Sequence, residues 1–182
     1  SGDESNAIGC CLYGYHAYCR KNNVNFSPYP IKDLYLGPEY NEKYVKALIK
    51  EKHLNKKYKI KILRNINKEI ARLLVKGEIV ARCSGKSEWG ARALGNRSIL
   101  ANPKNQETIR ILNETIKDRD FWMPFTPSMI EDDAGKYLIN PKKISAPYMA
   151  ITFNSTPLAQ QHLPAAMHPY DFTIRPQIVY KG

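Results

Sequence analysis

The chain has no apolar run long enough to cross a bilayer. Its opening, SGDESNAIGC, lacks the basic stretch and long apolar core of a secretory leader. Cysteine is scarce. Cys10, Cys11, Cys19 and Cys83 match neither a zinc module nor a disulfide framework, and no nearby His completes a metal set. They read as free, buried thiols of a reducing cytoplasm. No internal repeat or low-complexity tract occurs, which excludes solenoids and arrays. Acidic residues are the scarcer sign, 17 against 28 Lys and Arg, for a net charge of +11. That balance suits a nucleic acid, an anionic surface or phosphorylated small molecules.

What is present is globular. In 182 residues, 43% are hydrophobic and 25% charged, enough for one domain with its own core and a short appendage. The start reads like the interior of a domain, so part of a longer chain is expected. Much of the positive charge is dilute. Lys43, Lys46, Lys50, Lys52, Lys56, Lys57, Lys59 and Lys61 alternate with Val, Leu and Ile, as on the wet side of an amphipathic helix and a following strand.

Pattern and punctuation predict the elements. An apolar helical run lies near Ala7 to Tyr18. Three prolines make NNVNFSPYPIKDLYLGPEY a loop or linker, with a boundary near 38–42. Asn41 can cap a helix reaching Glu51, with Tyr44, Val45, Leu48 and Ile49 on one side. Tyr58 to Leu63 alternates as a strand. Asn67 to Lys76 is helical and closed by Gly77. Strands are expected at Glu78–Cys83, Arg97–Ala101, Pro124–Ile130, Tyr148–Asn154 and Thr173–Val179, the last with an edge or bulge at Pro176. Asn105 to Asp118 is a helix with Ile109, Leu112 and Ile116 inward. The class is α/β or α+β with a mixed sheet.

The stretch SGKSEWGARALGNRS, residues 84–98, holds three glycines and three cations. A strand opening into such a loop can expose several backbone N–H groups, and small residues let an anion approach them. Lys86, Arg92 and Arg97 add fixed positive charge, two of them as planar forks. An oxyanion or phosphate site is one reading; a surface loop with solvated cations is the other. The loop is neither a Walker A sequence nor a dinucleotide fingerprint.

Gly85 to Leu100, GKSEWGARALGNRSIL, closely resembles the signature G-R-S-E-[WF]-G-P-R-A-L-G-N-R-S-I-L of the O-carbamoyltransferases of nodulation-factor and antibiotic type. Colinear matches extend it. Gly2 to Gly9 resembles GDEGNAIG. Asn102-Pro103 and the helix after it match the next segment. Lys117 to Ser128, KDRDFWMPFTPS, resembles the cation-rich turn before PFAPS. Ala146 to Met149 resembles SPYM, and His168 to Gln177 resembles the terminal H-x-D-G-[ST]-x-R-x-Q.

The resemblance implies two parts: residues 1–40 as the last strip of an actin-like, metal-binding transfer domain, and 41–182 as a YrdC-like twisted mixed sheet with flanking helices. The second part would take carbamoyl phosphate and ATP, with Mg²⁺ on the nucleotide, and make carbamoyl adenylate. The first would pass the carbamoyl group to a hydroxyl of a sugar or natural product. Carried over residue by residue, Arg92, Lys117 and Arg175 would act on the reacting groups. Thr173, Ser87, Lys86, Asn96, Arg97, Ser98 and Arg119 would bind substrate or hold the loop. Asp3 would complete a divalent metal site, iron by expectation, with upstream histidines in the intact protein. Dissociating carbamoyl phosphate and adenylating carbamate bring negative charges together, and fixed cations offset that repulsion.

Plainer roles stand beside these. Lys117 would favour a helix C-terminus by charge alone. Arg175 fits an exposed strand edge. Glu88 is a general base or, better, an ion-pair partner of Arg92 or Arg97. Trp89 is a packing residue or an adenine platform, and His168 a satisfied core histidine. The chain departs from the family at Lys86, Ala91, Met123 and Phe172. Met123 stands where Arg is usual, so Arg119 must substitute or the pocket loses a charge. Phe172 replaces Gly, so the turn there should differ. These departures favour the nodulation-type branch. The alternatives are a basic YrdC-like nucleotide- or RNA-binding module without catalysis, and a degenerate domain that completes a partner interface. No membrane association is expected.

Overall fold

Asparagines start two of the helices. Asn41 Oδ1 accepts from Tyr44 N at 2.9 Å and Asn65 Oδ1 from Lys68 N at 3.0 Å, each satisfying an N–H that the first turn leaves open. In the computed structural model, residues 3–120 and 122–181 are described, Asp3 and Glu4 by backbone alone. The helices are α1 (Asp3–Asn22), α2 (Glu42–Glu51), α3 (Ile66–Val75), α4 (Glu107–Leu112), α5 (Glu131–Tyr137) and α6 (Pro157–His162). The strands are β1 (Val80–Cys83), β2 (Arg97–Leu100), β3 (Ser128–Ile130), β4 (Leu138–Ile139), β5 (Asn154–Ser155) and β6 (Gln177–Val179). The class is α+β.

The described strands form three two-stranded ladders rather than one mixed sheet. β1 and β2 are antiparallel, with Val80 opposite Leu100 and Cys83 opposite Arg97. β3 and β6 are parallel, and β4 and β5 antiparallel. Proline explains the short ladders. Pro124, Pro127 and Pro176 each remove a donor from a segment expected to be a longer strand, and Met149, at φ +55°, breaks the extended run of Tyr148–Asn154. β6 begins directly after the buried Pro176, and Tyr148–Asn154 retains only the Phe153–Ile174 bridge and β5.

Two further expectations change. Tyr58–Leu63 forms no strand. It finds no ladder partner and stays exposed, Ile62 to 81%. Ile116 is exposed because α4 passes into a π turn, Asn113–Lys117. The wider turn rotates later side chains out of phase with Thr108 and Leu112, which are buried.

The core lies between β3, β6 and the C-terminal segments. Met129, Leu138, Ala146, Phe153, Ala159, Met167, Ile174 and Ile178 form one buried cluster. α2 and α3 bury no residue fully; Leu48, Ile49, Ile70, Leu73 and Leu74 are half-buried. Of the cysteines, expected to be buried, only Cys19 is; Cys10, Cys11 and Cys83 are exposed. No described helix is long and apolar enough to cross a membrane.

Candidate functional site

The loop 84–96 joins β1 to β2 and is organised by its own carboxylate. Glu88 Oε1 accepts from the backbone N–H groups of Leu94 (2.8 Å), Asn96 (2.7 Å) and Arg97 (3.1 Å). Gly95 N donates to Ser98 Oγ at 2.9 Å. Burial pushes the Glu88 carboxyl up, but the N–H groups of Arg97, Glu88, Asn96 and Leu94 outweigh it and hold the group below the ordinary carboxylate range. This corrects both expectations for Glu88: it is neither a base nor an ion-pair partner. The loop does build an N–H nest, and Glu88 already fills it.

Arg97 holds the same loop. Its Nη1 donates to Ser84 O (2.7 Å) and its Nη2 to Gly85 O (3.0 Å). Asn96 Nδ2 donates to Lys86 O at 2.8 Å, and a Cβ on Gly85 would stand 3.0 Å from that nitrogen. Gly85 has φ +56°, a second reason for glycine there. The segment 34–39 straps the loop from outside. Trp89 N donates to Leu34 O (2.7 Å), Gly37 N to Ser87 O (2.9 Å) and Ser87 N to Pro38 O (3.0 Å). Lys86, Ser87, Asn96 and Arg97 therefore do not line the cavities described next, and neither does half-buried Trp89.

A cleft of about 790 Å³ lies beside the loop. Arg92 reaches it from the loop, Lys117 and Arg119 from the turn after α4, and Arg175 from the segment before β6. Ser98 lines it too. Burial first, then Arg92 and Arg119, lower the pKa of the Arg175 guanidinium. Like charges thus face one another with no carboxylate between them. Among the described residues, Arg92, Lys117 and Arg175 donate to no carboxylate or carbonyl. The cleft's single lining carboxylate, Asp133, is held by Lys136 Nζ at 2.6 Å.

Arg119 is aimed by its neighbours. Its Nε donates to Asn113 Oδ1 at 2.6 Å, and its Cζ lies 4.5 Å from the Phe125 ring centroid. Asn113 is fully buried, and its Nδ2 donates to Asp120 O and Met123 O, both at 3.0 Å. One amide thus ties the cation-bearing turn together. Sequence reasoning missed Asn113, because an Asn inside a helical pattern carries no signal of the turn it will close.

A smaller cavity of about 290 Å³ shares Arg119 and Arg175 and adds Trp122, Met123, His168 and Thr173. Met123 contributes no charge, while Arg119 stands in both cavities. Thr173 N donates to Asp171 Oδ1 at 2.9 Å, and Thr173 holds the Asp171 carboxyl below its usual range. His168 is not a satisfied core residue. Its Nδ1 lies 3.1 Å from Asp171 Oδ1 but off-axis, without an aligned hydrogen bond. Phe172 has φ +58°, the region glycine enters freely. The turn expected to differ there keeps a left-handed residue.

Asp3 opens α1, and the expectation for its carboxylate lies outside the described residues. Among the described residues, no three His, Cys, Asp or Glu side chains come together as a metal site.

Residues 71–182 match the family model described as Carbamoyltransferase C-terminus. The chain is 38% identical over 82% of its length to an uncharacterized protein of Methanocaldococcus jannaschii, of which it covers 25%. It is 38% identical over 55% of its length to Nodulation protein U of Sinorhizobium fredii, covering 17% of that protein. Nodulation protein NolO of Bradyrhizobium diazoefficiens is 42% identical over 35% of the chain, which covers 12% of it. The chain thus spans about a quarter of the M. jannaschii relative and less of the two nodulation proteins. With its signature loop, cation-rich turn and C-terminal segment meeting at one cleft, the chain belongs to the carbamoyltransferase C-terminus family.

Proposed function

We propose that this chain is the carbamoyl-adenylating part of an O-carbamoyltransferase. The observation that carries the reading is the convergence of Arg92, Lys117, Arg119 and Arg175, from three separate segments, on one cleft. All four residues are exposed at the cleft, so together they raise its positive potential and favour a polyanion. Carbamoyl phosphate and ATP are such polyanions. Water releases phosphate from carbamoyl phosphate and leaves carbamate. A carbamate oxygen then attacks the α-phosphorus of ATP, and pyrophosphate departs.

The residues' parts follow from their types. Arg92 and Arg175 grip phosphoryl oxygens as forks, and Lys117 supplies a point charge. Arg119, aligned by Asn113 and Phe125, supplies the charge that Met123 lacks. Thr173 and Ser98 offer hydroxyls. Mg²⁺ would arrive on the nucleotide's phosphates. Asp133 is already engaged by Lys136, so the cleft has no carboxylate set of its own for a metal. Transfer to a hydroxyl acceptor, and an iron or other divalent site using Asp3, belong to the actin-like part; residues 1–40 are its last strip and 41–182 the YrdC-like part. The cytoplasm, with both phosphorylated substrates and reduced thiols, is the proposed location.

Calorimetry of ATP and of carbamoyl phosphate against the wild type and Arg92→Ala tests the reading. Binding of both by the wild type, weakened about tenfold or more in the variant, is expected. Equal binding by the two proteins rejects the assigned cleft.

A further inference from the structure

One carbonyl joins the two sides of the cleft. Leu94, two residues after Arg92, is buried to 4%. Its oxygen accepts from Gln177 Nε2 at 2.8 Å and from Tyr35 Oη at 2.9 Å, so both lone pairs are used. Gln177 lies two residues after Arg175 and is itself pinned, with Oε1 accepting from Ser128 Oγ at 2.8 Å. Tyr35 comes from the strap, whose backbone bonds to Ser87 and Trp89 set it against the loop. A Cβ on Gly37 would lie 2.7 Å from Ser87 Cβ, which shows how closely the strap approaches.

We propose that Tyr35 is a positioning residue for the anion cleft, holding Arg92 at a set distance from Arg175 through the Leu94 carbonyl that it shares with Gln177. Arg92 and Arg175 repel, and among the described residues neither guanidinium has a hydrogen-bond or ion-pair partner to restrain it, so their spacing depends on the backbone that carries them. On the Arg175 side that backbone is anchored by β6 and Ser128. On the Arg92 side Glu88 shapes the loop internally, but the loop still needs a tie to the rest of the molecule. Gln177, held by Ser128 and β6, supplies it at the Leu94 carbonyl, and Tyr35 fixes that same carbonyl from the strap side. Burial first, then Glu88, Asp33 and Tyr148, raise the phenol's pKa, with Gln177 opposing, so Tyr35 stays a donor at neutral pH.

The inference rests on the proposed anion cleft, and its test separates the two. ATP and pyrophosphate affinities are measured on the full chain for the wild type, Tyr35→Phe, Arg92→Ala and the double variant, with thermal melts alongside. Tyr35→Phe removes one hydroxyl and keeps the ring. It should weaken ATP about threefold to tenfold in the wild-type background. It should have no further effect in the Arg92→Ala background, because the residue acts through Arg92. Amide exchange at Leu94, Asn96 and Arg97 should quicken in Tyr35→Phe without a matching fall in global protection. Wild-type affinity in Tyr35→Phe, or an equal loss in both backgrounds, overturns the proposal and leaves the cleft standing. A wild type that binds neither ligand overturns the cleft, and the proposal falls with it. Should Tyr35→Phe fail to fold, Gln177→Met removes the other donor to Leu94 O and is judged by the same criteria.

Discussion

Glu88 shows how a residue type can be recognised and its work misread. A carboxylate beside two arginines suggests an ion pair, yet its oxygen collects three backbone N–H groups instead. Its folded pKa lies below the unfolded value near ~4.3. Its contribution is therefore present in full above that unfolded value and is lost as pH falls through the depressed folded one. Glu88→Gln should cost about 1–3 kcal/mol at pH 7 in urea melts. The variant's stability should also fall less steeply than the wild type's on acidification below about pH 4.5. Parallel acid profiles for the two proteins would contradict this account. Phe172 offers the opposite test. Its ring is half exposed while its backbone sits at φ +58°. Phe172→Gly should raise stability by about 0.5–1 kcal/mol in the same melts, because relief of the left-handed strain exceeds the entropy that glycine adds to the unfolded chain.

At the scale of elements, the strap and the loop behave as one unit. Residues 34–39 form no helix or strand beyond the single Glu39–Lys86 bridge, and composition alone marks them as linker, since Pro38 and Gly37 argue against helix and strand. Their backbone bonds to Ser87 and Trp89 are legible only in three dimensions. Gly37→Ala places a Cβ inside contact distance of Ser87 and should pry the strap away. We expect a loss of about 1–3 kcal/mol in thermal melts and faster amide exchange at Ser87 and Trp89, with the β3–β6 amides unaffected. Unchanged exchange at those two positions would mean the strap is incidental. The cation-bearing turn has a similar history. Asn105–Asp118 is visible as a helix from its periodicity, but the π turn and the Asn113 amide that redirect it are not.

For the whole molecule, charge is the governing quantity. The chain carries +11, and its cleft gathers four cations that repel one another. A bound polyanion stabilises only the folded state, where those cations are assembled. Pyrophosphate at saturating concentration should raise the melting temperature by several degrees. The gain should shrink in Arg175→Ala and fade as salt is raised toward 1 M. A gain that survives both changes would come from diffuse surface charge, not from the cleft.

The linear order of residues already carries the α+β class, the helix capped by Asn41, the helix closed by Gly77, the strands at both edges of the glycine-rich loop and the family signature. Those follow from local physics: period, capping chemistry, turn residues and a motif read in a row. It also singles out Arg92, Lys117, Arg119 and Arg175, though not that they meet. Their meeting, the filling of the loop's N–H nest by Glu88, the binding of Tyr35 and Gln177 to one carbonyl, and the break-up of the sheet into short ladders all depend on contacts between residues far apart in the chain. Such contacts are settled by which groups compete for the same donor or the same space, and that competition begins when the chain has folded.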